Sequence, residues 1–186
     1  MKKLFKTEQH KEKEKGLELL VERTINFLIP ELSKIKYSVA FQKTNILGTG
    51  LLVQIFPMED PNNTILVVPW VRPEIMTRRE LSKSLADYPR LNIHSEAKTL
   101  PDNEKIKFML DLTKKLNLYF IVIIPNKIGG GLFWLDKYTN IPKDSWKLTY
   151  RKNTKTLDRI HLPVYKHYKF VSIKELKLQL NEIFEK

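Results

Sequence analysis

Residues 101–124 read PDNEKIKFMLDLTKKLNLYFIVII and join two unlike hydrophobic patterns. Pro101-Asp102 starts an amphipathic helix, because the apolar residues that follow recur at the spacing of one helix face: Ile106, Met109, Leu110 and Leu116. Residues 118–124 are continuously apolar, which is typical of a central strand covered on both faces. A helix that leads directly into a buried strand predicts an α/β protein with a mixed sheet. We expect a right-handed crossover from a strand ending at Lys98 to the parallel strand over residues 118–124.

The elements around this unit extend the same architecture. The upstream pattern predicts a helix with Leu17, Leu20, Val21, Ile25 and Leu28 on one face, broken or kinked at Pro30. Alternating and apolar runs separated by turn residues predict strands over residues 37–43, 51–56, 64–71 and 132–135, a short polar helix over 77–86 and a last helix over 172–184. We therefore expect one domain over residues 1–186, with residues 1–15 as a basic N-terminus that is either frayed or helical and solvated.

The charge balance points to a polyanionic partner. The 186 residues include 33 Lys and Arg against 21 Asp and Glu, a net charge of +12. This excess favours nucleic acid or an acidic membrane surface over small ligands, and a basic but inert surface is the alternative. The N-terminus lacks an apolar core, so we expect no secretory signal, and residues 118–124 are too few to span a bilayer. We expect a soluble protein without a membrane partner.

Cysteine is absent from the chain. Disulfide bonds, zinc ribbons and thiol nucleophiles are therefore excluded. The absence is compatible with a cytoplasmic location, which we expect.

The segment with the strongest chemical signal is residues 87–98, DYPRLNIHSEAK. Its alternation predicts a strand over residues 91–98, with His94, Glu96 and Lys98 on one face. A carboxylate and an ammonium group displayed together suit metal-assisted hydrolysis of a phosphodiester. The carboxylate binds Mg²⁺, and the lysine orients or deprotonates the attacking water. The alternative is a surface ion pair between Glu96 and Lys98.

Two residues compete for the role of the second acid. Asp87 stands nine residues before Glu96, and the chain could reverse between them around Pro89. Asp60 lies just before the strand over residues 64–71, and it would approach Glu96 if that strand paired antiparallel with the catalytic one. For both aspartates a role in a turn or a helix cap is the alternative.

Residues 87–135 resemble the PD-(D/E)XK nucleases, the restriction-endonuclease-like superfamily. The resemblance consists of an acidic residue, a strand ending in Glu96-Ala97-Lys98, an amphipathic helix and a buried strand. It implies a three-layer α/β fold in which helices flank a central mixed β-sheet. It also implies Mg²⁺-dependent cleavage of double-stranded DNA, with Asp87 and Glu96 as the metal ligands.

A basic segment follows the predicted nuclease elements. Between residues 143 and 169 there are eight basic residues: Lys143, Lys147, Arg151, Lys152, Lys155, Arg159, Lys166 and Lys169. Lysine and arginine neutralise DNA phosphates without reading base sequence. The segment therefore predicts a contact with the DNA backbone, to which Arg78 and Arg79 could add, and a solvated loop is the alternative.

No helix-turn-helix or zinc finger accompanies these elements. In this respect the chain resembles the small catalytic subunit of a heterodimeric type IIS restriction endonuclease. The resemblance implies a large subunit that recognises the site and nicks one strand, while this chain cuts the other. The competing hypotheses are a homodimeric Holliday-junction resolvase or repair nuclease of the same fold, and a non-catalytic basic DNA-binding accessory protein.

Overall fold

The protein has an α/β fold in which helices flank a mixed five-stranded sheet. The computed structural model describes residues 8–44, 50–71, 90–125, 131–150, 157–161 and 169–185. Its α-helices are α1 (Glu8–Arg23), α2 (Ile29–Lys34), α3 (Asp102–Lys115) and α4 (Ile173–Phe184). Its strands are β1 (Tyr37–Thr44), β2 (Gly50–Pro57), β3 (Ile65–Val71), β4 (Arg90–Asn92), β5 (Tyr119–Pro125), β6 (Gly131–Lys137), β7 (Lys147–Tyr150) and β8 (Leu157–His161).

The large sheet has the strand order β1-β2-β3-β5-β6. β1, β2 and β3 form an antiparallel meander, β3 is parallel to β5, and β5 is antiparallel to β6. The parallel partner of β5 is therefore β3, with Val67 beside Tyr119. The sequence predicted that the parallel neighbour of β5 would be a strand over residues 91–98. That prediction is wrong, because the strand in this region, β4, belongs to a second sheet.

Both faces of the large sheet are covered by hydrophobic side chains. On one face the helical segment from Glu8 to Lys34 and the helix α4 supply a core that includes Leu28, Leu32, Leu176 and Leu180. On the other face Met109 and Leu110 of α3 pack with the second sheet. β5 lies between the two cores and is buried over all seven residues, which confirms the prediction of a central strand.

The N-terminal helix changes its winding before Pro30. Thr24–Leu28 form a π-helical turn, in which the N–H of Ile29 donates to the carbonyl of Thr24 five residues earlier. The wider turn precedes the proline, which has no N–H to donate. It also rotates Ile25 away from the core, to 47% exposure, so the predicted helix face is wrong at that residue.

The small sheet has the order β4-β8-β7, with antiparallel pairing throughout. Of the strand predicted over residues 91–98, only Leu91 and Asn92 are in a strand. Together with Arg90 they form β4. The helix predicted over residues 77–86 lies outside the described ranges. None of the described helices combines the length and apolar character needed to cross a membrane.

Candidate nucleic-acid interface

The small sheet joins the two segments that the sequence singles out. β4 precedes Glu96-Ala97-Lys98, and β8 and β7 belong to the basic segment. The central row of the sheet places Leu91 beside Ile160, and Ile160 beside Leu148. Leu91 and Ile160 are fully buried, and Leu148 packs against the same core. One face of the small sheet is therefore fixed to the body of the protein.

The two rows beside the buried row carry the basic residues of the small sheet. Backbone alternation starts these side chains on the face opposite the buried row, although the Arg90 guanidinium turns back to Trp70 and the Nδ1 atom of His161 is buried. We call these two rows the basic face: Arg90, His161 and Lys147 in one row, and Asn92, Arg159 and Thr149 in the next. Directly opposed residues of antiparallel strands lie about 5 Å apart, so the face gathers its cations within a small area.

The residues of the basic face differ in how they are held. Lys147 is exposed, whereas the other five are half-buried. The guanidinium carbon of Arg90 lies 5.2 Å from the ring centroid of Trp70, a cation–π contact at the edge of the core. The hydroxyl of Thr149 donates to the carbonyl of Arg159 at 3.1 Å, which links β7 to β8.

Glu96-Ala97-Lys98 lies in a 3₁₀ turn, Ser95–Ala97, and not in a strand. A 3₁₀ helix has three residues per turn, so consecutive side chains point about 120° apart. Ala97 points into the core and is fully buried, while Glu96 and Lys98 are exposed on either side of it. The predicted common face of Glu96 and Lys98 is therefore wrong, because the alternation in this segment reflects a turn around a buried alanine.

His94 closes this turn at its start. Its imidazole Nδ1 accepts a hydrogen bond from the backbone N–H of Glu96 at 3.3 Å. The ring also stacks on Phe108 of α3, with centroids 6.0 Å apart. His94 is thus a capping and packing residue, whereas the strand reading put it beside Glu96 and Lys98.

The two candidate aspartates have different outcomes. Asp60 is exposed in the turn between β2 and β3, where it lines a groove of about 420 Å³ with Tyr37 and Asn181. β3 and β5 are parallel, so both strands begin at the end of the sheet where Asp60 lies. The helix α3 precedes β5 and is about 21 Å long. Glu96 comes before this helix and therefore lies toward the other end of the strands. The structure does not bring Asp60 to Glu96, and Asp87 lies outside the described residues.

The donor set decides how well the described residues fit Mg²⁺. Mg²⁺ prefers octahedral oxygen coordination and is held by one or two carboxylates. Within the described ranges no three acidic or histidine side chains gather into a possible metal site. Glu96 stands without Asp60, and a 3₁₀ turn separates its side-chain direction from that of Lys98 by about 120°. The described residues alone do not fit a magnesium site, and the predicted site depends on Asp87.

A contact near the turn was missed by the sequence analysis. The phenol of Tyr150, at the end of β7, donates to Asp102, the first residue of α3, and Lys105 Nζ donates to the same carboxylate at 3.0 Å. These hydrogen bonds, Tyr150 first, lower the pKa of Asp102, and the carboxylate in turn raises the pKa of Tyr150. The sequence offered no signal for a pairing across so many residues. The contact ties the small sheet to α3.

The remaining basic residues proposed to contact phosphates fall into two groups, those that the structure describes and those outside the described ranges. Lys143 and Lys169 are exposed. Arg78, Arg79, Arg151, Lys152, Lys155 and Lys166 lie outside the described residues.

Comparisons of this chain with protein-family models, with curated proteins and with solved structures give no match.

Proposed function

We propose that this protein binds double-stranded DNA through the basic face of the small sheet. The observation that carries the proposal is the pairing of β4 with β8, which joins Arg90 to the basic segment in one sheet. Two arginines, a lysine and a histidine thereby lie in adjacent rows of one sheet. The net charge of +12 adds a long-range attraction for a polyanion.

The arrangement suits backbone binding better than base reading. Lysine and arginine release condensed counterions when they contact phosphates, and this release supplies most of the sequence-independent affinity for DNA. The sheet's other face is packed on α3 and is therefore held in place, which limits the entropy lost on binding.

The test is a salt titration of DNA affinity. We expect the double variant Lys147→Gln/Arg159→Gln to bind a duplex roughly tenfold more weakly, because two phosphate contacts are lost. The slope of log K against log salt should fall by about 2, since each contact contributes close to 0.9. Fluorescence anisotropy with a labelled duplex at several salt concentrations measures both quantities.

The chain supplies a control with the same change of charge. Lys174 and Lys177 are exposed on α4, which packs on the other face of the large sheet. We expect Lys174→Gln/Lys177→Gln to keep the wild-type slope. Equal losses in both double variants would mean that net charge alone, and not the basic face, accounts for binding.

Cleavage of DNA is the second candidate function. The amphipathic helix and the buried strand that the restriction-endonuclease-like resemblance implies after Glu96-Ala97-Lys98 are present as α3 and β5. This order supports a proposal of the superfamily fold, of Mg²⁺-dependent hydrolysis and of a large nicking subunit as partner. Because Glu96 and Lys98 diverge around Ala97, this proposal is weaker than that of DNA binding.

A plasmid assay separates the two functions. The protein is mixed with a candidate large subunit and supercoiled DNA, with Mg²⁺ or with EDTA. The proposal predicts double-strand cleavage by wild type with Mg²⁺, and only nicking by Glu96→Ala, Lys98→Ala and Asp87→Asn. Asp60→Asn should cleave as wild type if Asp87 is the second acid. Cleavage by Glu96→Ala would remove that residue from the site, while the salt titration would stand unaffected.

A further inference from the structure

Among the described residues, the outer side of β1 forms a long edge of the large sheet with no strand beside it. β1 pairs with β2 along eight residues, from Tyr37 beside Pro57 to Thr44 beside Gly50, without a bulge. Within the described part of the chain no strand lies along its other side. An edge of this kind presents backbone N–H and C=O groups that can pair with another strand.

Over its first six residues, β1 lacks the charges, prolines and bulges that normally protect an edge strand. Residues 37–42, YSVAFQ, contain no charge and no proline, and the first charged residue is Lys43. Phe41 is 40% exposed, and Val39 on the same face is only partly buried. Natural proteins block such edges with lysines, prolines, bulges or a covering segment. An apolar edge without them is suited to pairing.

The sequence of β1 complements itself. A two-fold axis perpendicular to the sheet pairs two copies of a strand antiparallel and keeps their faces aligned. With the axis at Ala40, each Phe41 lies beside Val39 of the second copy, so apolar residues meet apolar ones. Ser38 lies beside Gln42 in the same way, and both are polar. Lys43 lies beside Tyr37, so no like charges oppose each other.

We propose that β1 pairs antiparallel with β1 of a second copy of this chain, centred on Ala40, to form a continuous ten-stranded sheet. One strand pair buries less surface than a standard interface, so the dimer is weak, with a Kd on the order of micromolar. The perpendicular axis places both small sheets on the same side of the joined sheet. The dimer thus presents two basic faces in one direction.

Disulfide trapping tests the pairing directly, because the chain has no cysteine of its own. The proposed register puts the two Ala40 Cα atoms about 5 Å apart, within the range that a disulfide needs. We expect Ala40→Cys to form a covalent dimer under mild oxidation. Gln42→Cys, on the same face of β1, lies about 13 Å from its mate in this register and should stay monomeric. Leu132→Cys, on the exposed face of β6, should also stay monomeric.

A solution measurement makes the test independent of cysteine chemistry. Sedimentation from about 1 µM to about 200 µM should show wild type passing from monomer to dimer. Phe41→Lys should dimerise at least roughly tenfold more weakly, since its ammonium would lie beside Val39. Leu132→Lys, at a residue of similar exposure (46%), should behave as wild type. A wild-type monomer at every concentration, or trapping at Gln42→Cys in place of Ala40→Cys, would overturn the proposal.

Discussion

The two edges of the large sheet differ in what lies along them. At the β6 edge, Phe133 and Val171 exchange two backbone hydrogen bonds, of 2.9 and 2.8 Å, and α4 begins directly afterwards. At the β1 edge, no described strand takes that place. A bridge of a single residue, Val171, followed by the helix α4 therefore occupies part of the β6 edge. The uncovered edge is the one with the self-complementary sequence.

The largest expected effect comes from the covered edge. Phe133 is fully buried, whereas Phe41 on β1 is 40% exposed. We expect Phe133→Ala to lower the free energy of unfolding by about 3–5 kcal/mol, because it leaves a cavity in the core. Phe41→Ala should cost about 1 kcal/mol or less. Chemical denaturation at a protein concentration low enough to keep wild type monomeric measures both, and equal costs would contradict the contrast between the edges.

A smaller effect is expected at Ser172, which lies between the bridging residue Val171 and the helix α4. Ser172 caps α4 with a reciprocal capping box: its side chain accepts from the N–H of Glu175, and the Glu175 carboxylate accepts from the N–H of Ser172 at 2.8 Å. We expect Ser172→Ala to destabilise the protein by about 1 kcal/mol. Ser38→Ala on β1 is the matched change and should stay within about 0.5 kcal/mol of wild type. If the Ser172 cap stabilises the backbone bridge between Val171 and Phe133, hydrogen exchange of the Val171 amide should be faster in Ser172→Ala than in wild type.

The smallest effect is the pH dependence of the same cap. Hydrogen bonds from the backbone and then the side chain of Ser172 lower the pKa of Glu175 from its ordinary value of 4.5. A carboxylate with a lowered pKa stabilises the folded state above its unfolded pKa and loses that contribution as the pH falls through the folded pKa. Thermal unfolding of wild type and Glu175→Gln should therefore differ at about pH 7 and converge near about pH 3. If the stabilities of wild type and Glu175→Gln still differed at acidic pH, the difference would come from packing and not from the charge of Glu175.

The large sheet was predictable because its strands carry distinct hydrophobic patterns. The run over residues 118–124 identifies β5 without ambiguity, and the capping sequence Ser172 to Glu175 marks the start of α4. The parallel partner of β5 was not predictable in the same way. β3 and the segment after Arg90 both look like strands, and only the three-dimensional arrangement places one of them in the small sheet.

The candidate site was harder to predict, since short alternation has two physical origins. In a strand it reflects opposite faces, whereas around Ala97 it reflects a 3₁₀ turn that buries one residue in three. The basic segment was predictable from charge, but its pairing with β4 was not, because strand pairing between distant segments leaves no local trace in sequence. The Tyr150–Asp102 contact was invisible for the same reason.

The parallel pairing of β3 with β5 also sets the order in which the chain can fold. The β1–β2–β3 meander is built from neighbouring segments, whereas Val67 reaches its partner Tyr119 only after the residues between them have been synthesised. Contacts distant in sequence slow folding, and unpaired apolar strands expose nascent chains to aggregation. Until β5 arrives, Ile65–Val71 is itself an open edge of a partly made sheet. Until β5 is synthesised, a β1–β2–β3 meander would therefore have two open edges, one along β1 and one along β3, and β5 closes the second.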